Sequence, residues 1–117
     1  MTDLTLGQLV IDAADPQRLA TFYSQLLDRP IEAGGNQYMA QLAGDGSVPH
    51  LMFLAVPEPR TGKNRVHIDF VTADFAAAAD RAVTLGATKV GEFDEYGTAW
   101  VTLADPEGNV FDIGRAH

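Results

Sequence analysis

Hydrophobic and polar positions fall into one pattern that occurs twice along the chain. Gln8-Leu9-Val10-Ile11-Asp12-Ala13-Ala14-Asp15 reads as a strand running into a helix, and His67-Ile68-Asp69-Phe70-Val71-Thr72-Ala73-Asp74 does the same in the second half. Each segment opens on a polar residue and closes on an aspartate placed to cap the following helix. After Asp15, Pro16 takes the first helical position, where its missing N–H costs nothing. Leu19, Phe22, Tyr23, Leu26 and Leu27 then share one helix face. After Asp74, the stripe is Phe75, Ala78, Ala79, Ala82 and Leu85, and Gly86 is suited to end it. The alanine-rich stripe predicts a helix packed closer to its sheet.

Three short strand-like runs follow each helix. In the first half they are Ile31–Ala33, Gln37–Leu42 and His50–Val56, divided by Gly34-Gly35 and Gly44-Asp45-Gly46. In the second they are Thr88–Phe93, Thr98–Leu103 and Val110–Ile113, with turns at Asp94-Glu95-Tyr96-Gly97 and Asp105-Pro106-Glu107-Gly108-Asn109. The polar stretch 57–64, with two prolines and a glycine, reads as a linker. The expected chain is one domain over 1–117, with module one at about 4–56 and module two at about 65–114. A ferredoxin-like domain would instead run βαββαβ.

Strand alternation sorts the side chains by face. Leu9, Ile11, Leu51, Phe53, Ile68, Phe70, Val101, Leu103, Phe111 and Ile113 form an apolar set able to cover the helices. The opposite face gathers Gln8, Val10, Asp12, Met52, Leu54, His67, Asp69, Val71, Trp100, Thr102 and Asp112. An imidazole, carboxylates and an indole among apolar residues suit a curved surface that binds a small molecule. A subunit interface or a solvated face is the alternative.

Charge narrows the partners. Against 16 acidic side chains stand 8 Lys and Arg, a net charge of −8, which disfavours nucleic-acid backbones and anionic membrane surfaces. With no cysteine, disulfides, thiolate metal sites and a cysteine nucleophile are excluded. The N-terminus lacks a secretion signal and no run is long enough to span a bilayer, so a cytoplasmic protein is expected. Exposed sheet edges make a homodimer the expected assembly. No glycine loop leads into a helix to cradle phosphate, and no serine sits at a nucleophile elbow.

The duplicated βαβββ order resembles the vicinal oxygen chelate superfamily of glyoxalases, bleomycin-resistance proteins and extradiol dioxygenases. Val10-Ile11-Asp12-Ala13-Ala14-Asp15-Pro16 with Leu19-Ala20-Thr21-Phe22-Tyr23, and Asp105-Pro106-Glu107-Gly108-Asn109-Val110-Phe111-Asp112, carry the likeness. Lys63-Asn64-Arg65-Val66-His67-Ile68-Asp69 further resembles the small glyoxalase-like subgroup. The resemblance implies an α+β fold whose two sheets pair into an open cup, with any metal at its centre.

It also implies a metal site with one corner missing. The ligand positions fall on Gln8, Leu54, His67 and Asp112, and Leu54 has no lone pair to offer. The extradiol pattern uses only the equivalents of Gln8, His67 and Asp112. Here an amide stands for one imidazole, and Asp112 is a methylene shorter than the usual glutamate. The cofactor is therefore either none or one divalent ion. Without metal, Gln8 can hydrogen-bond to the neighbouring module, and Asp112 can accept from His67 and orient it. Two functions follow. One is a binding or sequestering protein that holds an organic molecule through Trp100, Leu54, Met52 and Asp69. The other is a lyase, isomerase or dioxygenase in which His67 and Asp112 act, with metal, or with His67 as general acid or base oriented by Asp112 or Asp69. His50 precedes a strand and His117 ends the chain, so neither receives a role.

Overall fold

The computed structural model describes residues 3–45 and 48–116. Gly46 of the expected turn and the terminal His117 lie outside the described residues. The chain divides into two compact units between Pro59 and Arg60, inside the expected linker.

The first unit runs β1 (Gln8–Ala13), α1 (Pro16–Leu27), β2 (Met39–Leu42) and β3 (His50–Ala55). The sheet order is β1-β3-β2, with β1 parallel and β2 antiparallel to β3. Asp15 caps α1, its carboxylate accepting from Arg18 N at 3.2 Å. Leu19, Ala20, Phe22 and Tyr23 are buried, and Tyr23 stacks on Phe53 with ring centroids 5.6 Å apart. Completely burying a side chain of that kind contributes about 1.5–3 kcal/mol. Gly7, which precedes β1, accepts from the His50 amide that opens β3.

One expected strand shrinks to a single bridge. Ile31 pairs with Leu42 alone, supported by Glu32 N donating to Gln41 O. Pro30 before it supplies no donor, and Gly34 just after it turns the chain at φ +96°. The next strand starts at Met39 rather than Gln37, because Asn36 and Met39 close a tight turn in which Asn36 Oδ1 accepts from Tyr38 N.

The second unit runs β4 (Ile68–Thr72), α2 (Phe75–Leu85), β5 (Thr88–Glu95), β6 (Thr98–Ala104) and β7 (Val110–Arg115). Its sheet order is β4-β7-β6-β5, with β4 and β7 parallel and the other pairs antiparallel. Asp74 caps α2 by accepting from Ala77 N, and Gly86 ends it at φ +130°. Val101, Leu103, Phe111 and Ile113 are buried on the α2 side of the sheet. A cavity of about 170 Å³ lies beside α2, bounded by Ala76, Ala79, Val83, Val101 and Leu103, with Asp80, Lys89 and Glu92 also lining it. The β6–β7 turn is held by Asp105, whose Oδ1 accepts from Glu107 N and Asn109 N, while Gly108 takes φ +91°. No described helix is long and apolar enough to cross a membrane.

Candidate ligand face of the second module

Pairing register lays the outward face of the second sheet out in rows. Asp69, Asp112, Thr102 and Gly91 lie opposite one another across β4, β7, β6 and β5. The neighbouring row is Val71, Gly114, Trp100 and Phe93. The first row is polar and the second apolar, and both turn away from α2 because Val101, Leu103, Phe111 and Ile113 occupy the intervening positions.

The polar row is organised around one imidazole. His67, just before β4, brings Nε2 to 3.3 Å from an Asp69 oxygen and 3.5 Å from an Asp112 oxygen. The other Asp112 oxygen accepts from the Thr102 hydroxyl at 2.6 Å, which fixes that carboxylate. Donor atoms of His67, Asp69 and Asp112 all lie within 4.8 Å of one another. The Asp112 side chain is mostly covered, with 18% of its surface exposed, whereas His67 and Asp69 remain open at 51% and 65%. Asp69 holds its proton above the ordinary carboxyl range. Partial burial is the main cause, the Asp112 charge adds to it, and His67 opposes both.

The apolar row is an aromatic platform. Trp100 and Phe93 stack with centroids 5.3 Å apart and planes 20° from parallel. Val71 and Phe93 are exposed and Trp100 is half-buried. Gly114 is buried and lets the backbone of β6 approach closely, since a Cβ there would lie 3.2 Å from Trp100 Cβ and 3.2 Å from Ala99 O.

Sequence reasoning placed Trp100 on this face but missed its partner. An Asp94–Gly97 turn would set Phe93 opposite Thr98. The hairpin instead closes through Tyr96 and Gly97 alone, both at positive φ, so Phe93 pairs with Trp100. Tyr-Gly lacks the Asn-Gly or Asp-Gly signature that marks such a loop. The Thr102–Asp112 bond was likewise unforeseen, although parity had put both residues on one face.

The other expected site residues belong to the first unit. Gln8, Val10 and Asp12 share a sheet face with Met52 and Leu54 by register, and Leu54 and Gln8 are exposed. Gln8 Oε1 accepts from Gln41 Nε2 at 3.4 Å, a partner within its own module.

A family model described as a glyoxalase-like domain matches residues 8–114. No curated protein sequence matches the chain. Among solved structures, a glyoxalase/bleomycin resistance protein/dioxygenase family enzyme from Burkholderia phytofirmans PsJN superposes with a TM-score of 0.83 at 20% identity, covering 97% of this chain and all of that one. Lactoylglutathione lyase from Agrobacterium tumefaciens gives 0.70 at 16% identity, covering 96% of this chain and 93% of its own. An oxidase, ChaP-H2, gives 0.75 at 16% identity, covering 99% and 96%. Identities this low establish the fold and leave the chemistry to the residues themselves.

Proposed function

The chain belongs to the glyoxalase-like domain family of the vicinal oxygen chelate superfamily, and on that premise we propose that it binds a small organic molecule on the outward face of its second sheet. The observation that carries this is the stacked Trp100–Phe93 pair standing one row from the His67–Asp69–Asp112 cluster. Exposed aromatic surface costs solvation unless something covers it, and convergent polar groups beside it fix the orientation of whatever does. Met52 and Leu54, the other expected ligand-binding residues, share the outward sheet face of the first unit with Val10 and Asp12. Trp100 is the chain's single tryptophan, so its fluorescence reports the face directly. Titration with a panel of one- and two-ring aromatic compounds should quench that emission saturably, and Trp100→Ala should weaken binding measured by calorimetry while the protein stays folded. Unchanged affinity in folded Trp100→Ala protein would defeat the proposal.

A divalent-metal enzyme is the second reading, favoured by a different observation. His67, Asp69 and Asp112 offer one imidazole nitrogen and two carboxylates within a span a single ion could bridge, a donor set suited to a borderline divalent cation. These three residues would hold the ion. Such an ion supplies Lewis-acid polarisation of adjacent substrate oxygens, as lyase, isomerase or dioxygenase chemistry requires. Without metal, His67 is positioned to move a proton, because two carboxylates lie within 3.5 Å of Nε2 to orient and stabilise the ring.

A further inference from the structure

We propose that the space between α2 and the β5–β6 hairpin is a second binding site, one that takes a small neutral alcohol with a compact saturated body. The site is separate from the ligand face proposed above. Val101 and Leu103 floor it on the α2 side of the sheet, whereas Trp100, Thr102 and Asp112 turn the other way. Three observations carry it.

The first is size. The cavity of about 170 Å³ stands over buried Ala79, Val101 and Leu103. An apolar cavity of about 150 Å³ takes up benzene, so a single six-membered ring fits here. The second is the contrast with the first unit. Counted from the caps Asp15 and Asp74, Ala76 stands where α1 has Gln17, and Val83 where it has Ser24. Gln17 Nε2 donates to Asn36 O at 2.7 Å and to Met39 O at 3.3 Å, and the Ser24 hydroxyl donates to Arg29 O. Those bonds tie α1 to the chain beside it. Ala76 and Val83 have no group to make them, and at the same place the second unit keeps an apolar-sided space. The third is the mouth. A bulge between Lys89 and Gly91 sets Lys89 opposite Leu103 and Glu92 opposite Val101, so both turn toward α2 where strict alternation would part them. They join in an ion pair at the rim, where Asp80 of α2 is the other charged group. A cationic head on the ligand would meet the ammonium there, and an anionic head the two carboxylates. A hydroxyl donates to a carboxylate oxygen and accepts from the ammonium, so a neutral alcohol suits both.

Cyclohexanol is the probe, titrated into the full chain and followed by amide chemical shifts. It has no aromatic ring to stack on Trp100, so the two proposed sites are read separately. Saturable shifts should fall on Ala76, Ala79, Val83 and Leu103 and leave Phe93 and Trp100 unmoved. Cyclohexylammonium and cyclohexanecarboxylate, the same ring with a charged head, should bind several-fold more weakly. Ala76→Leu should abolish binding by filling the space, while the protein melts no lower than the parent, since leucine is a good helix former. Ala76→Gln, which copies the first unit, should weaken binding as well. Ala77→Leu, on the exposed side of α2, should leave it unchanged. Absence of saturable shifts, shifts gathered on Phe93 and Trp100, or affinity that survives in both folded Ala76 variants overturns the site. Binding of either charged analogue as tight as that of the alcohol overturns the neutral class. Neither result bears on the ligand face across the sheet, which stands or falls with Trp100→Ala.

Discussion

Asp69 and Asp112 stand directly opposite one another across the parallel β4–β7 pair, each with an oxygen within 3.5 Å of the same atom, Nε2 of His67. Parallel strands in register force the two carboxylates together, and the imidazole bridges them from the start of β4. Like charges directly opposite on a sheet destabilise it, so the arrangement costs stability that the fold must recover elsewhere.

That cost has a pH signature. The Asp69 carboxyl is raised above its ordinary 3.8, so folding favours its protonated form. The associated stabilisation is complete below that ordinary value and is lost as pH rises through the elevated one. Asp69→Asn removes the charge, so relative to the parent it should gain stability near neutrality and lose that advantage in acid. Because Asp69 is largely exposed, solvent screens the effect and the gain should stay under about 1 kcal/mol. Urea unfolding of both proteins on either side of the window measures it; an advantage that grows as pH falls would contradict the assignment.

Asp15 and Asp74 should behave as caps and nothing more. Each accepts a hydrogen bond from the amide three residues on. Asp15→Ala and Asp74→Ala should each cost about 0.5–2 kcal/mol of unfolding free energy. Ligand affinity of the folded fraction should stay unchanged, and a selective loss of binding at unchanged stability would mark either aspartate as functional.

Neighbouring residues on β6 should respond oppositely. Val101 is buried on the α2 side, so Val101→Ala should cost about 1–3 kcal/mol, through lost burial and the void it leaves, with little effect on ligand affinity. Trp100→Ala should weaken binding more than it destabilises the fold. Thermal melts and calorimetry on the same two variants separate the roles, and an exchange of their effects would show that the register is misassigned.

Much of this was legible before any coordinates. The Asp-Pro start of α1, the two amphipathic stripes and strand parity follow from local chemistry, and local chemistry decides caps and faces. The Ile31–Ala33 run failed as a strand because a proline and two glycines flank it too closely for more than one bridge. The Phe93–Trp100 stack was hidden for another reason. It depends on cross-strand register, which a two-residue loop at Tyr96 and Gly97 sets without the usual sequence signature. Asp69 was foreseen as a ligand-binding residue and as an alternative to Asp112 in orienting His67, but its place as a third donor beside both at once is a consequence of the parallel β4–β7 register.

Metal content discriminates between the binding and metal-enzyme readings. Protein purified without added metal should carry well below one equivalent of zinc, iron, manganese or nickel. Elemental analysis near one equivalent, reduced in His67→Ala, would favour the enzyme built on His67, Asp69 and Asp112.

The central claim is that the outward face of the second sheet is where a ligand binds, and amide chemical-shift mapping tests it most directly. On saturation with whichever aromatic compound quenches Trp100, the largest shifts should fall on Val71, Phe93, Trp100, Asp112 and Gly114. Shifts concentrated instead on Ala76, Val83, Lys89 and Leu103, around the cavity beneath α2, would contradict it.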